Sequence, residues 1–194
     1  MSTNDDVPDI TIRPWRLDDF DAVKAILDDT FAGTWLPQLT PDAAKAYRES
    51  GAPVGYIDEK GPDFFVAEID GEVAGYAYGS RHHERAAYRW TADVTVYISA
   101  AHHRRGVGRA LYSALFDLLG RQGIHEVCAG VTLPNDASVG LHESMGFEPV
   151  GVYRDVAFKF GRWYSVGWWQ LSLRPRHGRE APAEIAPPPR LPAP

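Results

Sequence analysis

Apolar positions along the chain alternate between two periods, and that alternation outlines a fold. Ile10 to Arg13 reads as a first strand. Leu17-Asp18-Asp19 then offers a helix start, with Phe20, Val23, Ile26 and Leu27 on one helical face. Pro41-Asp42 opens a second helix through Tyr47. Residues Gly51 to Pro62, rich in Gly and Pro, read as loop. Phe64 to Ile69 and Glu72 to Gly79 flank Asp70-Gly71, a dipeptide suited to a two-residue hairpin turn. Thr91 to Ser99 is a long strand with Val94, Val96 and Ile98 on one face. The clearest helical stripe follows: Val107, Ala110, Leu111, Ala114, Leu115, Leu118 and Leu119. Glu126 to Val131 is a buried strand, and Ala137 to Met145 a helix stopped by Gly146. Val150 to Phe158 and Trp163 to Leu173 form a final hairpin around Phe160-Gly161-Arg162.

Strands alternating with helices around a hairpin core predict an α/β fold with a mixed central sheet flanked by helices. Residues 1–174 form one predicted domain. From Pro175 to Pro194 proline, alanine and arginine dominate, a composition that predicts an extended or disordered tail. At 194 residues with 44% hydrophobic content, the body of the chain is long and apolar enough for a sizeable core.

Charge and cysteine content narrow the chemistry. A formal net charge of -6 sets a field against nucleic acid, so a local basic cluster is better read as a small-anion site. The single cysteine, Cys128, lies in an apolar strand pattern, which suits a reducing compartment and an inert thiol. Met1 to Asp6 is acidic without an apolar segment, and no apolar run reaches membrane-spanning length. A cytoplasmic protein with no membrane partner is the expectation. The adjacent His82 and His83 would point oppositely on an extended segment. No carboxylate or cysteine stands at metal-site spacing from them, and no metal is expected.

The basic cluster sits where a strand runs through Ser99-Ala100-Ala101-His102-His103-Arg104-Arg105-Gly106-Val107-Gly108-Arg109 into the striped helix. The first N–H groups of a helix lack intrahelical partners, and the helix dipole adds positive charge there. Glycine at 106 and 108 would let backbone approach a phosphate. A pyrophosphate-bearing ligand is the expected occupant. A P-loop would need Gly-Lys-Ser/Thr, and a dinucleotide fingerprint a third glycine and an acidic ribose ligand; neither is present.

The stretch His103 to Gly108 resembles the pyrophosphate turn of GNAT-family N-acetyltransferases. Within that family, Tyr88 to Ile98, Leu133 to Phe147 and Phe158 to Trp163 are similar to the phosphinothricin and methionine sulfoximine acetyltransferase subgroup. The resemblance implies a GNAT fold, acetyl-CoA as acetyl donor, a homodimer, and a small-molecule amine or amino acid as acceptor. It places acetyl-CoA against the backbone of Val96, Tyr97 and Ile98, against Arg104, Arg105, Gly106, Val107, Gly108 and Arg109, and against Asn135, which could also cap its helix. Asp93 falls at the family's glutamate position as candidate general base, set against the alternative of an aspartate that holds a neighbouring arginine. His142 falls where many relatives carry a tyrosine near the sulfur, as candidate proton donor or as a packing residue. Arg85 and Tyr88 match the acceptor pocket, where an arginine could grip a carboxylate. The chain departs from the pattern at Asp93 (usually Glu), His103 (Gln or Arg), Ser165 (Asp) and Thr34 to Leu39, which lacks an Asn-Phe segment. Two alternatives to small-molecule acetylation stay open: acetylation of a protein N-terminus or lysine, and a non-catalytic acetyl-CoA-binding module.

Overall fold

The computed structural model describes residues 8–174 and 182–186. Seven strands form one sheet in the order β1-β2-β3-β4-β5-β7-β6. They are β1 (Thr11–Pro14), β2 (Phe65–Ile69), β3 (Glu72–Arg81), β4 (Thr91–Ile98), β5 (Glu126–Thr132), β6 (Glu148–Lys159) and β7 (Arg162–Ser172). Every neighbouring pair is antiparallel except β4 and β5. The helices are α1 (Phe20–Thr30), α2 (Pro41–Glu49), α3 (Ala52–Lys60), α4 (Val107–Gln122) and α5 (Asp136–Ser144).

The strand period sorts the side chains into two cores. Ala67, Ala77, Ala92, Val94 and Val127 face one side, where Val107, Leu111, Tyr112, Leu115 and Leu119 of α4 bury the predicted stripe. Val66, Tyr76 and Tyr78 face the other, against Val23, Ile26 and Leu27 of α1 and Ile57 of α3. Helix α3 corrects the expected loop at 51–62. Gly51 takes a left-handed conformation (φ 65°) at the helix start and Pro53 occupies the first turn, where its missing N–H costs nothing. Burial of Ile57 then holds a helix whose composition reads as loop. The 64–79 hairpin turns on Asp70 (φ 53°) and Gly71 (φ 82°), and the last hairpin on Phe160 (φ 54°) and Gly161 (φ 81°) alone.

The tail falls partly outside the described residues. Its described part, 182–186, lies without regular structure against the body. Trp90 Nε1–H donates to the Ala183 carbonyl (2.9 Å), Ala186 N–H to the Gln122 carbonyl (2.8 Å), and Ile185 packs on the α4 core. Among the described residues no helix is long and apolar enough to cross a membrane.

One polar network ties β1, β2 and the start of α1. Arg13 donates two 2.7 Å bonds to the Asp19 carboxylate and a third, at 2.8 Å, to Glu68. Asp19 also accepts the Arg16 N–H at 2.7 Å. Burial works to raise the Asp19 pKa; the bonds from Arg13 and Arg16 outweigh it and hold the group below its ordinary 3.8. A carboxylate whose pKa falls on folding binds fewer protons in the native state. Its contribution is therefore complete above pH 3.8 and is lost as pH drops toward the folded value. Asp19→Asn should cost about 3 kcal/mol at neutral pH in urea unfolding, and the difference between variant and parent should shrink below pH 4.

Candidate active site

Strands β4 and β5 pair only at Thr91–Asp93 with Glu126–Cys128. Beyond that the two part, while β5 continues along β7 to Thr132. The gap is a cleft with Val94 to Tyr97 on one wall and Ala129 to Thr132 on the other. Tyr112, Asn135, Ser138 and His142 line it from the α4–α5 side, and Thr30, Thr34 and Lys159 from the opposite face of the sheet.

The free edge of β4 supplies backbone polar groups to this cleft. Ser99 N–H donates to the Ala74 carbonyl at 2.9 Å, which fixes the alternation along the β3–β4 ladder. Tyr97 accordingly spends its N–H and C=O on Tyr76, and the corresponding groups of Val96 and Ile98 point into the gap. Of the three backbone positions expected to meet the acyl donor, Tyr97 is thus committed to the sheet. His103 Nε2–H donates to the Ile98 carbonyl at 3.2 Å.

At its far end the β4 edge leads to the basic turn. Arg104 (φ 61°) and Gly106 (φ 86°) are both left-handed, bending the chain so that α4 starts at Val107. The first helical bond runs from Ala110 N–H to the Gly106 carbonyl. The N–H groups of Val107, Gly108 and Arg109 thus have no partner among the described residues. Arg104 and Arg105 are exposed beside them. Arg109 turns its guanidinium away and donates to the Ser144 carbonyl at 3.1 Å, fastening α4 to the end of α5. Gly108 has a different reason for being glycine than phosphate approach. A Cβ there would stand 2.9 Å from both Ile98 Cδ1 and Leu141 Cδ2, so its smallness lets α4, α5 and β4 close on one another.

Asn135 caps α5, its side-chain oxygen accepting the Ser138 N–H at 3.1 Å, and also lines the cleft. His142 is buried, at 4% exposure. Its Nδ1 lies 2.7 Å from the Ser138 carbonyl, which can only accept, so Nδ1 carries the proton. Nε2 then accepts the Tyr112 hydroxyl at 2.8 Å. Burial pushes the imidazole pKa down, against the opposing effect of the Ser138 bond. The expected direct proton donation from His142 does not fit this arrangement, since its one N–H is already spent on Ser138. The imidazole instead holds Tyr112, whose hydroxyl burial keeps protonated.

On the other face, Asp93 Oδ1 accepts from His82 Nδ1 at 2.7 Å. Cys128 of β5 stands opposite Asp93, and ligand atoms of His82, Asp93 and Cys128 all lie within 4.8 Å of one another. Sequence spacing missed this group because the β3–β4–β5 register assembles it from three distant segments. Burial, then the Asp93 and Glu126 charges, raise the Cys128 thiol to about 11. It stays a neutral thiol, as expected. Tyr88 stacks on His83 with ring centres 4.9 Å apart and stands 6.0 Å from His82. Arg85 is exposed; its carbonyl accepts the Tyr88 N–H at 3.0 Å, and its side chain makes no hydrogen bond or ion pair among the described residues. Lys159, at the end of β6, is the cation among the cleft's lining residues. The next residue, Phe160, packs on Phe31 and Tyr47 (5.5 Å each), which are themselves stacked at 3.8 Å. Lys159 reaches the site only through this docking of the hairpin tip on α1 and α2, so the Phe158–Trp163 motif that contains it does not by itself place it in the cleft.

The tryptophan-rich end of the chain divides three ways. Trp169 is buried and donates to Glu143 at 3.3 Å; Trp168 meets His82 edge-on at 6.0 Å; Trp163 is exposed. Ser165 Oγ accepts the Asp155 N–H across the β6–β7 irregularity at 3.2 Å.

Comparison with known proteins follows the same outline. Over 107 residues the chain is 45% identical to a phosphinothricin N-acetyltransferase of Streptomyces viridochromogenes, a match spanning 55% of this chain and 58% of that one. It is 33% identical over 178 residues to an L-methionine sulfoximine/L-methionine sulfone acetyltransferase of Pseudomonas aeruginosa, covering 89% of this chain and 98% of the relative. The crystal structure of a phosphinothricin acetyltransferase from Sinorhizobium meliloti in complex with AcCoA superposes with a TM-score of 0.70 at 27% identity, over 93% of this chain and 97% of that one. The profile of the acetyltransferase (GNAT) domain matches residues 12–168, and the chain belongs to the GNAT acetyltransferase family.

Proposed function

We propose that the protein transfers acetyl from acetyl-CoA to the amine of a small amino acid or a close analogue. The observation that carries this reading is the single path formed by the open β4 edge and the unpaired N–H groups at the start of α4. A pantetheine arm carries amides that such a strand edge can bond, and a pyrophosphate suits a helix N-terminus flanked by Arg104 and Arg105. The residues therefore fit acetyl-CoA. Bound there, it supplies a thioester within the cleft. Val96 and Ile98 offer backbone groups along the arm, and an N–H of this edge is available to the oxyanion that forms at the acyl carbon. Asn135 has its side-chain N–H groups left over after capping α5.

The acceptor enters from the face of α1, α2 and the hairpin tip, where Asp93, Thr95, Thr34 and Lys159 lie. Direct attack by its amine needs no cysteine nucleophile, which agrees with a Cys128 held neutral. The Asp93 carboxylate is the anion on which removal of the amine proton depends. Tyr112, held by His142, presents a hydroxyl dipole from beneath the cleft. Lys159 provides the charge for a substrate carboxylate, a role that sequence resemblance gives to Arg85. Positioning supplies most of the rate in such a scheme.

A second copy of the chain fits this reading. β6 is an edge strand with no neighbour on its outer side among the described residues, and it and the hairpin tip expose Val150, Val152, Tyr153, Val156, Phe158 and Trp163, each more than half exposed. Edge strands of that length and apolarity are normally covered.

Three outcomes test the reading. Thiol release from acetyl-CoA should be fastest with amino acids such as methionine sulfoximine or phosphinothricin and slower with their decarboxylated amines. Lys159→Met should raise the amino-acid KM by about tenfold and leave the amine unaffected, whereas a selective loss in Arg85→Ala would return the grip to Arg85. No thiol release with any amine, despite acetyl-CoA binding, would leave a binding module. For the base, Asp93→Asn should lower kcat by about 100-fold at neutral pH, with the deficit narrowing as pH rises and the amine deprotonates in solution. Near-parental kcat across the pH range would reduce Asp93 to a structural residue. For assembly, light scattering should give twice the chain mass, and Val152→Asp with Phe158→Asp should give the single-chain mass; a monomeric parent overturns the dimer.

A further inference from the structure

We propose that the atom accepting the amine proton is Nε2 of His82, and that Asp93 acts by holding this imidazole. The proposal rests on the reading of Asp93 above and changes its part from proton acceptor to positioning residue.

The geometry is that of an oriented imidazole. His82 Nδ1 and Asp93 Oδ1 are 2.7 Å apart, and a carboxylate only accepts, so the proton of the neutral ring sits on Nδ1. Nε2 is left with its lone pair and has no partner among the described residues. The side chains are 26% and 28% exposed, enough to meet a small substrate and little enough to keep one orientation. Trp168 meets the ring edge-on and Tyr88 flanks it, both at 6.0 Å, which limits its rotation. Along β4, Asp93 lies on the same face as Thr95, a wall residue of the cleft, and two residues span about 7 Å. The pair therefore borders the cleft on the acceptor side.

The groups around the ring suit a change of charge. Asp93 faces it from β4, Cys128 from β5, and His83 and Tyr88 from the loop after β3; Trp168 of β7 does not titrate. Cys128, with its thiol pushed up to about 11, adds no negative charge. Asp93 is then the one anion among these neighbours, placed to stabilise an imidazolium. Chemistry favours the imidazole over the carboxylate as acceptor. An imidazole is a stronger base than a carboxylate, so it takes an ammonium proton with the smaller penalty. His82 also extends the reach of the short Asp93 side chain.

The step balances as follows. The acceptor ammonium gives one proton to His82 Nε2. The freed lone pair forms the N–C bond to the thioester carbon, and the C–S bond breaks with its electron pair on sulfur. The surplus N–H proton of the new amide nitrogen goes to that sulfur, and the imidazolium returns its proton to water. Amine and thioester become amide and thiol with nothing oxidised or reduced.

The test compares His82→Gln, His82→Ala and Asp93→Asn, alone and combined, by steady-state kinetics over pH, with an acetyl-CoA-induced rise in melting temperature as proof of folding. His82→Gln should lower kcat about 100-fold and leave the acetyl-CoA KM within about twofold. The His82→Gln, Asp93→Asn double variant should be no more than about threefold slower than the slower single one, since the two act as a unit. Added imidazole should restore about tenfold in His82→Ala and nothing in Asp93→Asn. If His82→Gln keeps kcat within about threefold and an unchanged pH profile while Asp93→Asn is slow, Asp93 accepts the proton itself and this proposal fails alone. If both variants are near parental, the reading of Asp93 fails with it. Should His82→Ala not fold, His82→Asn replaces it, and a normal kcat there overturns the proposal equally.

Discussion

The molecule depends on one interruption in its hydrogen bonding. β4 and β5 are the only parallel neighbours in the sheet, and they remain paired for three residues. Were the pairing to continue, Val96 and Ile98 would spend their backbone groups on β5, and the two faces of the sheet would be sealed from each other. Because it stops, the sheet has a hole at its centre. Each face brings its own chemistry to that hole: the α4–α5 face brings the helix N-terminus, Tyr112 and His142, and the α1 face brings Asp93, His82 and Lys159. Unpaired backbone groups inside a protein are costly unless something satisfies them, so the opening is energetically biased toward a strand-like, amide-bearing occupant.

The cores on the two sides hold the hole open. The α4 stripe grips β2, β3 and β4 from one side, and Gly108 lets α5 press close enough for Leu141 to reach it. On the other side the Asp19–Arg13–Glu68 network and the Phe64–Tyr76–Tyr97 stack fix the α1 end of the sheet. The α4 core runs under the gap from Val94 to Ala129 and Val131, whereas the α1 core stays on the β2–β4 side. β5 is also carried by β7, through a ladder seven residues long.

Much of the fold was legible because period and turn chemistry are local. The α4 stripe, the Asp70-Gly71 hairpin and the Gly146 stop each need only a few neighbouring residues to read. Helix α3 was not, because its stability comes from Ile57 reaching a core built by distant strands, against a local Gly and Pro content that argues for loop. The site divides along the same line. Asp93, Asn135 and the 104–109 turn belong to contiguous motifs. His82, Tyr112 and Lys159 enter only by strand register, by helix packing or by a docked hairpin, so even the Phe158–Trp163 motif around Lys159 does not locate it in the cleft. Gly108 carries a requirement the sequence hides: a glycine whose position suits phosphate approach is also needed, in the fold, for packing.

The contact of Phe160 with Phe31 and Tyr47 bears on motion. Each aromatic pair is worth about 0.5–1.5 kcal/mol beyond simple burial. Three such pairs, with the burial of Phe31 added, hold the tip with a sizeable share of a typical domain's stability of roughly 5–15 kcal/mol. The tip that carries Lys159 is therefore restrained against α1 and α2 by rings remote from the reacting atoms, and the width of the cleft on that side is set by aromatic stacking.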